Sequence, residues 1–375
     1  MSGSRDLRLF RLVLYRLGMM CAQFDDRDCL LQSTPSSERY ALFYMLAILA
    51  AALGCFAFAY LWPQDLYMGV YNETGNFYET INIRGFCVGL WLLHICLYIR
   101  RRRHIGLVQK LLQLNRLCSN KANERYFRRI FICYVVLALI CLMNYLNGYA
   151  RAGLSQIAAL VYIFVYLYSF VVMCLLLAFF VCLQHIVAAG LAKYNIQLAK
   201  SYSVAYRRHL LYQRYRLLDT VAVELVACFG LLMLPIVPLV LFLAPTGPLF
   251  LVSTVMEGKL SGFFQYAIFC FTASLWNVPW LAMMTFILRS NVITEEANKT
   301  AKILAKIPRT GSGLDRMVEK FLLKNLRQQP ILTAYGFFAL DKSTLFKLFT
   351  AIFTYMVILV QFKEMENSTK SLQKS

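Results

Sequence analysis

The stretch LFKLFTAIFTYMVILVQF, Leu345–Phe362, decides the fold class of this chain. It is apolar almost throughout, and Lys347 is its one charged residue. A helix needs about 20 apolar residues to cross a bilayer, so this run predicts a membrane-spanning helix. Gln361 lies near the end of the run, where a primary amide in hydrocarbon is costly unless another group or water satisfies it. The partner of this amide therefore bears on the function.

The composition supports a membrane protein. Of 375 residues, 59% are hydrophobic and 15% are charged, whereas about a quarter of the residues of a soluble domain are charged. The net charge of +20 is spread over several connections, and we therefore expect no nucleic-acid partner. The sequence contains no metal-binding His or Cys spacing, no phosphate-binding loop and no nucleophile motif. We predict neither catalysis nor a cofactor.

Hydropathy predicts an all-α membrane protein with seven transmembrane helices. The second span is the weakest of them, because Arg84 and His94 interrupt it. The predicted spans are residues 40–62, 83–99, 129–148, 157–182, 221–244, 261–288 and 345–362.

The placement of basic residues predicts the orientation of the spans. Alternate connections, which are residues 1–39, 100–128, 183–220 and 289–344, contain 31 Lys and Arg residues, whereas the other connections contain 5. Because Lys and Arg stay on the cytoplasmic side, the N-terminus is predicted to be cytoplasmic and the C-terminus extracellular.

The inner connections are long and have helical patterns. Segment 183–220 has no proline and reads as a helix that continues out of the fourth span. We expect such extensions to form a helical anchor domain in the cytoplasm. The predicted organisation is a cytoplasmic segment 1–39, a six-helix ligand-sensing bundle 40–288, an anchor segment 289–344, a last helix 345–362 and an extracellular tail 363–375.

Polar groups within or beside the spans have ordinary structural explanations. His94 is predicted to be a buried, hydrogen-bonded histidine. Glu224 is predicted to reach the interface or pair with a basic neighbour, with a role in an ion path as the alternative. The run Arg100–His104 directly follows the second span. We interpret it as an anchor that contacts lipid headgroups, with a specific phosphoinositide site as the alternative.

The last predicted helix has one weakly polar face. Thr354, Ile358 and Gln361 follow each other at three- and four-residue steps, and Phe362 flanks them. Copies of this helix around an axis could expose the face to a water-filled pore, with the apolar side chains as constrictions. Alternatively, Gln361 makes a hydrogen bond to a neighbouring helix. Residue chemistry alone favours the second explanation.

The motif TYMVILVQF, Thr354–Phe362, resembles the Thr-Tyr-(five apolar)-Gln-Phe signature that closes insect gustatory receptors, and the approach segment Ala334–Phe353 is also similar to that family. The resemblance implies a ligand-gated cation channel of four like or mixed subunits in the plasma membrane of chemosensory neurons. It implies that the last helix lines a central pore, with Gln361 and Phe362 in its narrow outer part and Ile358 one turn deeper. The resemblance therefore favours a Gln361 that faces the pore over one that makes a hydrogen bond to a neighbouring helix.

The same resemblance places a ligand pocket among the outer halves of spans two to six. Aromatic rings with a few amides and hydroxyls suit an uncharged organic tastant. Most aromatic residues of such a chain serve packing, so each position has an ordinary alternative. The candidate ligand-binding residues are Trp91, Asn144, Tyr145, Asn147, Tyr162, Tyr166, Gln265 and Tyr266.

Two other function classes remain open at this stage. A metabotropic seven-helix receptor would signal through G proteins, and a transporter would move a substrate without unitary currents. The cytoplasmic N-terminus and the signature of the last span favour the channel. Same-family subunits and membrane lipid are then the expected partners.

The predicted topology can be checked by glycosylation. Asn72 and Asn367 lie in sequons on the predicted outer side, and Asn298 lies in one on the inner side. We expect glycosidase treatment of protein from animal cells to lower its mass, and we expect Asn72→Gln or Asn367→Gln to remove that shift. A glycan on Asn298 would contradict the topology.

Overall fold

The structure is a computed structural model, and it describes most of the chain outside the predicted sixth span. The described residues are 5–25, 30–67, 73–117, 121–151, 154–201, 203–217, 221, 223–244, 292–306 and 342–374, together with isolated positions at 267, 271, 281, 282, 285, 316, 318 and 319.

The described chain is almost entirely helical, which confirms the predicted fold class. Its helices are α1 (Arg5–Arg16), α2 (Pro35–Leu61), α3 (Glu73–Ile99), α4 (Arg101–Leu117), α5 (Lys121–Arg151), α6 (Gln156–Tyr162), α7 (Ser169–Lys200), α8 (Val204–Leu217), α9 (Val223–Leu243), α10 (Val292–Ala305) and α11 (Lys342–Lys374). A short 3₁₀ helix, Pro63–Leu66, follows α2, and a π-helical segment, Ile163–Tyr168, joins α6 to α7.

One small element was not expected. Strand β1 (Gln23–Asp25) pairs antiparallel with β2 (Leu30–Gln32) in the segment that precedes α2. A ladder of three residues is too short to have a recognisable alternation of polar and apolar side chains.

The predicted spans agree with the helices where the structure describes them. Among the described residues, five stretches are long and apolar enough to cross a membrane: Pro35–Leu61, Gly75–Ile99, Arg125–Met143, Gln156–Lys200 and Val223–Leu241. The apolar part of α11, Phe346–Phe362, is a shorter sixth stretch. The predicted span 261–288 lies outside the continuously described ranges.

Helix α3 is longer than the sequence predicted. The second span was placed at residues 83–99, whereas α3 begins at Glu73. The residues that precede position 83 were assigned to an outer loop because they are polar. Several of them are buried by other helices rather than exposed to water, and burial by protein makes polar helical turns possible at membrane depth.

The centre of the molecule is the continuous rod formed by α6, the π-helical segment and α7. Nearly every side chain of α7 from Ser169 to Leu191 is buried. Phe180 on this rod stacks on Phe229 of α9 at a centroid distance of 4.6 Å. Phe10 of α1 contacts Phe131 of α5 edge-on at 5.0 Å. Helix α2 lies at the periphery, where its apolar side chains are mostly exposed and suited to lipid.

The N-terminal segment is fixed to α2 by local signals. Gly18 ends α1 in a left-handed conformation with φ of 63°, and the amide of Met19 donates to the Leu14 carbonyl at 2.9 Å. Thr34 caps α2 by accepting from the Ser37 amide at 3.2 Å. The Ser37 hydroxyl lies 2.8 Å from the carbonyl oxygen of Cys21, so it can donate to it.

The predicted cytoplasmic extensions are helical, as expected. Helix α7 continues to Lys200, but a break at Ser201 separates it from α8, so segment 183–220 is not one helix. The Asn195 amide of α7 donates to the Glu296 carbonyl of α10 at 3.0 Å and accepts from the Thr300 hydroxyl. These bonds tie the long extension of α7 to α10 beside an apolar cluster, which contains Leu198, Leu210, Leu211 and Leu304.

Glu224 has the basic partner that the sequence led us to expect. Both of its carboxylate oxygens lie within 2.9 Å of the Lys110 ammonium nitrogen. The pair links α4 to the first turn of α9. Since both side chains are partly exposed, its contribution to stability is modest.

Close packing of α3 on α9 depends on one glycine. A β-carbon at Gly89 would lie 2.8 Å from Cγ of Leu239 and closer still to its methyl groups, whereas one at Gly85 of the same helix would meet nothing within 4 Å. Small residues let membrane helices approach closely. We therefore expect Gly89→Ala to lower the thermal stability of the detergent-solubilised protein and Gly85→Ala to leave it unchanged. Equal melting temperatures for the two variants would contradict the close contact.

Candidate functional site

Helix α11 presents its weakly polar face to the outside of the chain. The side chains of Thr354 and Gln361 are exposed, Ile358 is 40% exposed and Phe362 is 49% exposed. The helix continues through the predicted tail to Lys374. The four predicted pore residues thus share a surface that nothing in the described part of the chain covers.

The same face forms a shallow, open surface. It is lined by α11 residues that include Thr350, Thr354 and Ile358. Its hydroxyl groups are few: the Thr350 side chain donates to the Phe346 carbonyl at 3.0 Å, which satisfies it within the helix. The surface therefore combines apolar walls with occasional polar groups.

Helix α11 contacts the rest of the described chain through α3. The ring of Tyr355 lies 5.9 Å from the ring of Tyr78, and Ile352 is buried beside it. Because Tyr78 lies in the outer turns of α3, this contact joins the last helix to the outer half of the bundle.

Two predicted ligand-binding residues come together on the central rod. Tyr162 and Tyr166 stack with ring centroids 6.0 Å apart, and both are buried. The Tyr162 hydroxyl donates to the Leu66 carbonyl at 2.7 Å. Tyr166 meets Phe86 of α3 edge-on at 5.1 Å. The π-helical segment, which widens the helix at this point, carries Tyr166, and such bulges often occur at functional sites.

The other predicted positions are distributed differently. Trp91 faces α2, where its indole nitrogen donates to the Leu49 carbonyl at 3.0 Å and its ring lies 6.2 Å from Phe56. Asn144, Tyr145 and Asn147 belong to α5, and Asn367 belongs to α11, but their side chains lie outside the described ones. Gln265, Tyr266 and Asn72 lie outside the described residues.

Sequence reasoning missed a group of buried polar residues in the outer turns of α3. Glu79 is 3% exposed, Asn82 is 0% exposed, and Asn76 and Thr80 are also buried. The Glu79 carboxyl lies next to the Tyr166 hydroxyl. The spacing of three to four residues between these polar residues of α3 could have revealed a helix in the sequence, because it places them on one side of a helix.

His94 is buried and hydrogen-bonded, as predicted, and it belongs to a short chain of hydrogen bonds. Its Nδ1 lies 2.9 Å from the Leu90 carbonyl and therefore donates. Its Nε2 then accepts from the Tyr168 hydroxyl at 2.9 Å. The Tyr168 oxygen lies 3.4 Å from the Tyr44 hydroxyl of α2. The chain links α2 and α3 to the end of the π-helical segment.

In the basic run after α3, some side chains contact other parts of the protein and others are exposed. Arg100 donates to the Ala227 carbonyl at 3.0 Å, and Arg101 lies 3.8 Å from the Glu38 carboxylate. Burial, together with the neighbouring Arg100 guanidinium, lowers the pKa of His104 to about 4, so this ring is neutral at physiological pH. Arg102 remains largely exposed, in keeping with an anchor at the lipid surface.

The sequence is similar to a family of chemosensory proteins and to relatives from Drosophila melanogaster. The profile of the 7tm chemosensory receptor family matches residues 7–366. Gustatory and pheromone receptor 39a, isoform A, is 54% identical over 370 residues, which covers 99% of this chain and 98% of the relative. Isoform D of the same receptor is 42% identical over 373 residues, with 98% of each chain covered.

The fold is similar to that of solved insect receptors. The olfactory receptor OR5 from Machilis hrabei in complex with eugenol superposes with a TM-score of 0.63 at 10% identity, covering 96% of this chain and 98% of that chain. The structure of the same receptor without a stated ligand gives a TM-score of 0.60 at 9% identity, with 95% and 97% covered.

The hydrogen-bond chain through His94 predicts a loss of stability when it is interrupted. Tyr168→Phe leaves the His94 Nε2 without its donor, and an unsatisfied buried polar atom costs roughly 1 to 3 kcal/mol. We expect a lower melting temperature for this variant in detergent. The matched control is Tyr60→Phe, because the Tyr60 side chain is 67% exposed. An equal effect of both substitutions would contradict the role of the chain.

Proposed function

This chain belongs to the insect gustatory receptors of the seven-transmembrane chemosensory receptor family, and on that premise we propose that it is a subunit of a tastant-gated, non-selective cation channel. Four subunits, identical or mixed with other members of the family, surround a central pore. The last helix of each subunit lines that pore. The ligand binds in the outer half of the bundle and opens the pore.

The exposed polar face of α11 is the observation that carries this proposal. Gln361 and Thr354 share it with Ile358, and all three side chains are exposed in the single chain. An amide directed at lipid is costly. A shared aqueous pore gives Gln361 water on one side, while the opposite side of α11 packs or meets lipid. The surface is therefore better explained by assembly than by a lipid-facing helix.

The residue types suit a gated cation pathway. Rings of Ile358 and Phe362 form hydrophobic constrictions that close by dewetting. A ring of Gln361 amides offers oxygen atoms to a passing cation and has no fixed charge. Such a pore discriminates weakly among monovalent cations, which is the reason for proposing a non-selective channel.

The ligand is a small organic molecule in this proposal. The stacked Tyr162 and Tyr166 rings provide an apolar, hydrogen-bonding wall. The similar olfactory receptor was solved with eugenol, and the similar Drosophila receptors are called gustatory and pheromone receptors. The contact between Tyr78 and Tyr355 offers a route from the outer half of α3 to the pore helix.

The proposed setting is the plasma membrane of chemosensory neurons. The basic run Arg100–Arg103 faces the inner leaflet and contacts anionic headgroups. The helical extensions formed by α7, α8 and α10 hold neighbouring subunits together on the cytoplasmic side.

Recording from excised patches separates this proposal from its alternatives. A channel produces ligand-dependent cation currents that persist when G proteins are blocked. A metabotropic receptor loses its response under the same block, and a transporter takes up substrate without unitary currents. Panels of sugars, bitter compounds and cuticular lipids are applied to cells that express this chain with and without family co-receptors.

Gln361→Ala is expected to change the current itself. Removing the amide ring alters unitary conductance, ion selectivity or open probability, because the narrow part of the pore loses its polar lining. The matched control is Phe353→Ala, which shortens an exposed apolar side chain that points about 100° away from Thr354. Unchanged permeation and gating in Gln361→Ala would argue against the pore assignment.

A further inference from the structure

Helix α3 carries a buried polar surface that an aromatic pocket for an uncharged ligand does not require. Asn76, Glu79, Thr80 and Asn82 are at most 8% exposed. The Thr80 hydroxyl donates to the Asn76 carbonyl at 2.8 Å, so this group is satisfied within the helix. Asn82 has no such partner, and the Glu79 carboxyl lies beside the Tyr166 hydroxyl of the central rod; these two side chains define the outer polar site.

Asn82 gives the outer polar site an unpaired amide. Its side chain is 0% exposed, and neither the nitrogen nor the oxygen of its amide has a hydrogen-bond partner among the described residues. Buried amides are almost always paired, since leaving one unpaired costs its full desolvation free energy. A ligand N–H group would restore the hydrogen bond of the amide oxygen.

Glu79 gives the outer polar site an acidic group. Within the described ranges, no Lys, Arg or His nitrogen forms an ion pair with its carboxyl. The nearest basic side chain of α3 is Arg84, whose guanidinium donates to the Ala59 carbonyl at 2.9 Å and lies over the Tyr60 ring. Arg84 is therefore engaged with α2. A buried carboxyl that lacks a compensating positive charge is stable when protonated, and a bound cation would stabilise its ionised form.

Aromatic rings lie on the side of the central rod that Glu79 faces. Glu79, Asn82 and Phe86 lie on one face of α3, at steps of three and four residues. Phe86 meets Tyr166 edge-on at 5.1 Å, Tyr166 stacks on Tyr162, and the Glu79 carboxyl lies beside the Tyr166 hydroxyl. A carboxylate inside such a group of rings is suited to an organic ammonium ion, because ring faces attract cations.

We propose that the outer polar site binds the protonated amine of an arylalkylamine. The ammonium N–H groups donate to the Glu79 carboxylate and to the Asn82 Oδ1, and the aromatic part of the ligand packs against Tyr162 and Tyr166. This inference rests on the proposed function, in that it names the chemical class of the ligand for the same pocket. It replaces the uncharged tastant that the sequence suggested.

Binding to the purified full-length protein in lipid nanodiscs tests the proposal. Two probe pairs share a skeleton and differ in the polar group: 2-phenylethylamine with 2-phenylethanol, and tryptamine with tryptophol. We expect each amine to bind more tightly than its alcohol at neutral pH. Glu79→Gln removes a charge-assisted hydrogen bond, so it should weaken amine binding roughly tenfold to hundredfold. Asn82→Ala should weaken the amines by a smaller factor.

Controls keep the interpretation specific. Glu73→Gln removes an exposed carboxylate from the first turn of the same helix and should leave amine binding unchanged. Circular dichroism and the elution volume of each variant verify that it is folded. The proposal is overturned if neither amine binds, if amine and alcohol bind equally, or if Glu79→Gln retains the preference for the amine.

Currents recorded from the same variants distinguish the proposal of a channel from the proposal of an amine-binding site. Amine binding that depends on Glu79 in a protein that passes no current would contradict the channel and support the site. Ligand-gated currents that are indifferent to both Glu79→Gln and Asn82→Ala would support the channel and contradict the site.

Discussion

The structure depends on one constraint: a polar group at membrane depth must find a partner, because hydrocarbon supplies none. Most such groups in the described chain meet it within the protein. Arg84 donates to a carbonyl of α2, Trp91 does the same, and His94 uses both ring nitrogens. These side chains therefore fix α2 and α3 to each other and to the central rod. Several groups have no such bond among the described residues, for example the Ser169 hydroxyl and the Asn82 amide. The two proposals begin from Gln361 and from Asn82.

Hydropathy and charge placement were sufficient to predict the helices that face lipid. Helix α2 is apolar and exposed, so its sequence reports its environment directly. Helix α3 shows the limit of this reasoning. Its outer turns, which contain Glu79 and Asn82, are polar and were assigned to a loop, although neighbouring helices bury them. A hydropathy pattern distinguishes apolar from polar residues, but it does not distinguish water from a protein interior as the surroundings of a polar residue.

The candidate site could be predicted only in part for a related reason. The family resemblance placed the pocket in the outer halves of the spans and so suggested Tyr162 and Tyr166, which the structure stacks on each other. It also suggested Trp91, whose indole is bonded to α2 instead. The rotation of each helix about its axis decides which of the many aromatic side chains contact each other. The π-helical segment changes that rotation in the middle of the rod. No periodic pattern in the sequence predicts a π-helical segment.

Helix α3 connects the two surfaces on which the function is proposed to depend. Glu79 faces the tyrosines of the central rod, while the preceding residue, Tyr78, meets Tyr355 of α11 at 5.9 Å. Adjacent residues of a helix point in directions about 100° apart, so a rigid rotation of α3 that follows ligand binding at Glu79 must also displace Tyr78. Tyr355 lies next to Thr354 and one turn from Ile358. A small movement at the outer polar site therefore has a short mechanical route to the constriction of the pore, without any change in the anchor helices.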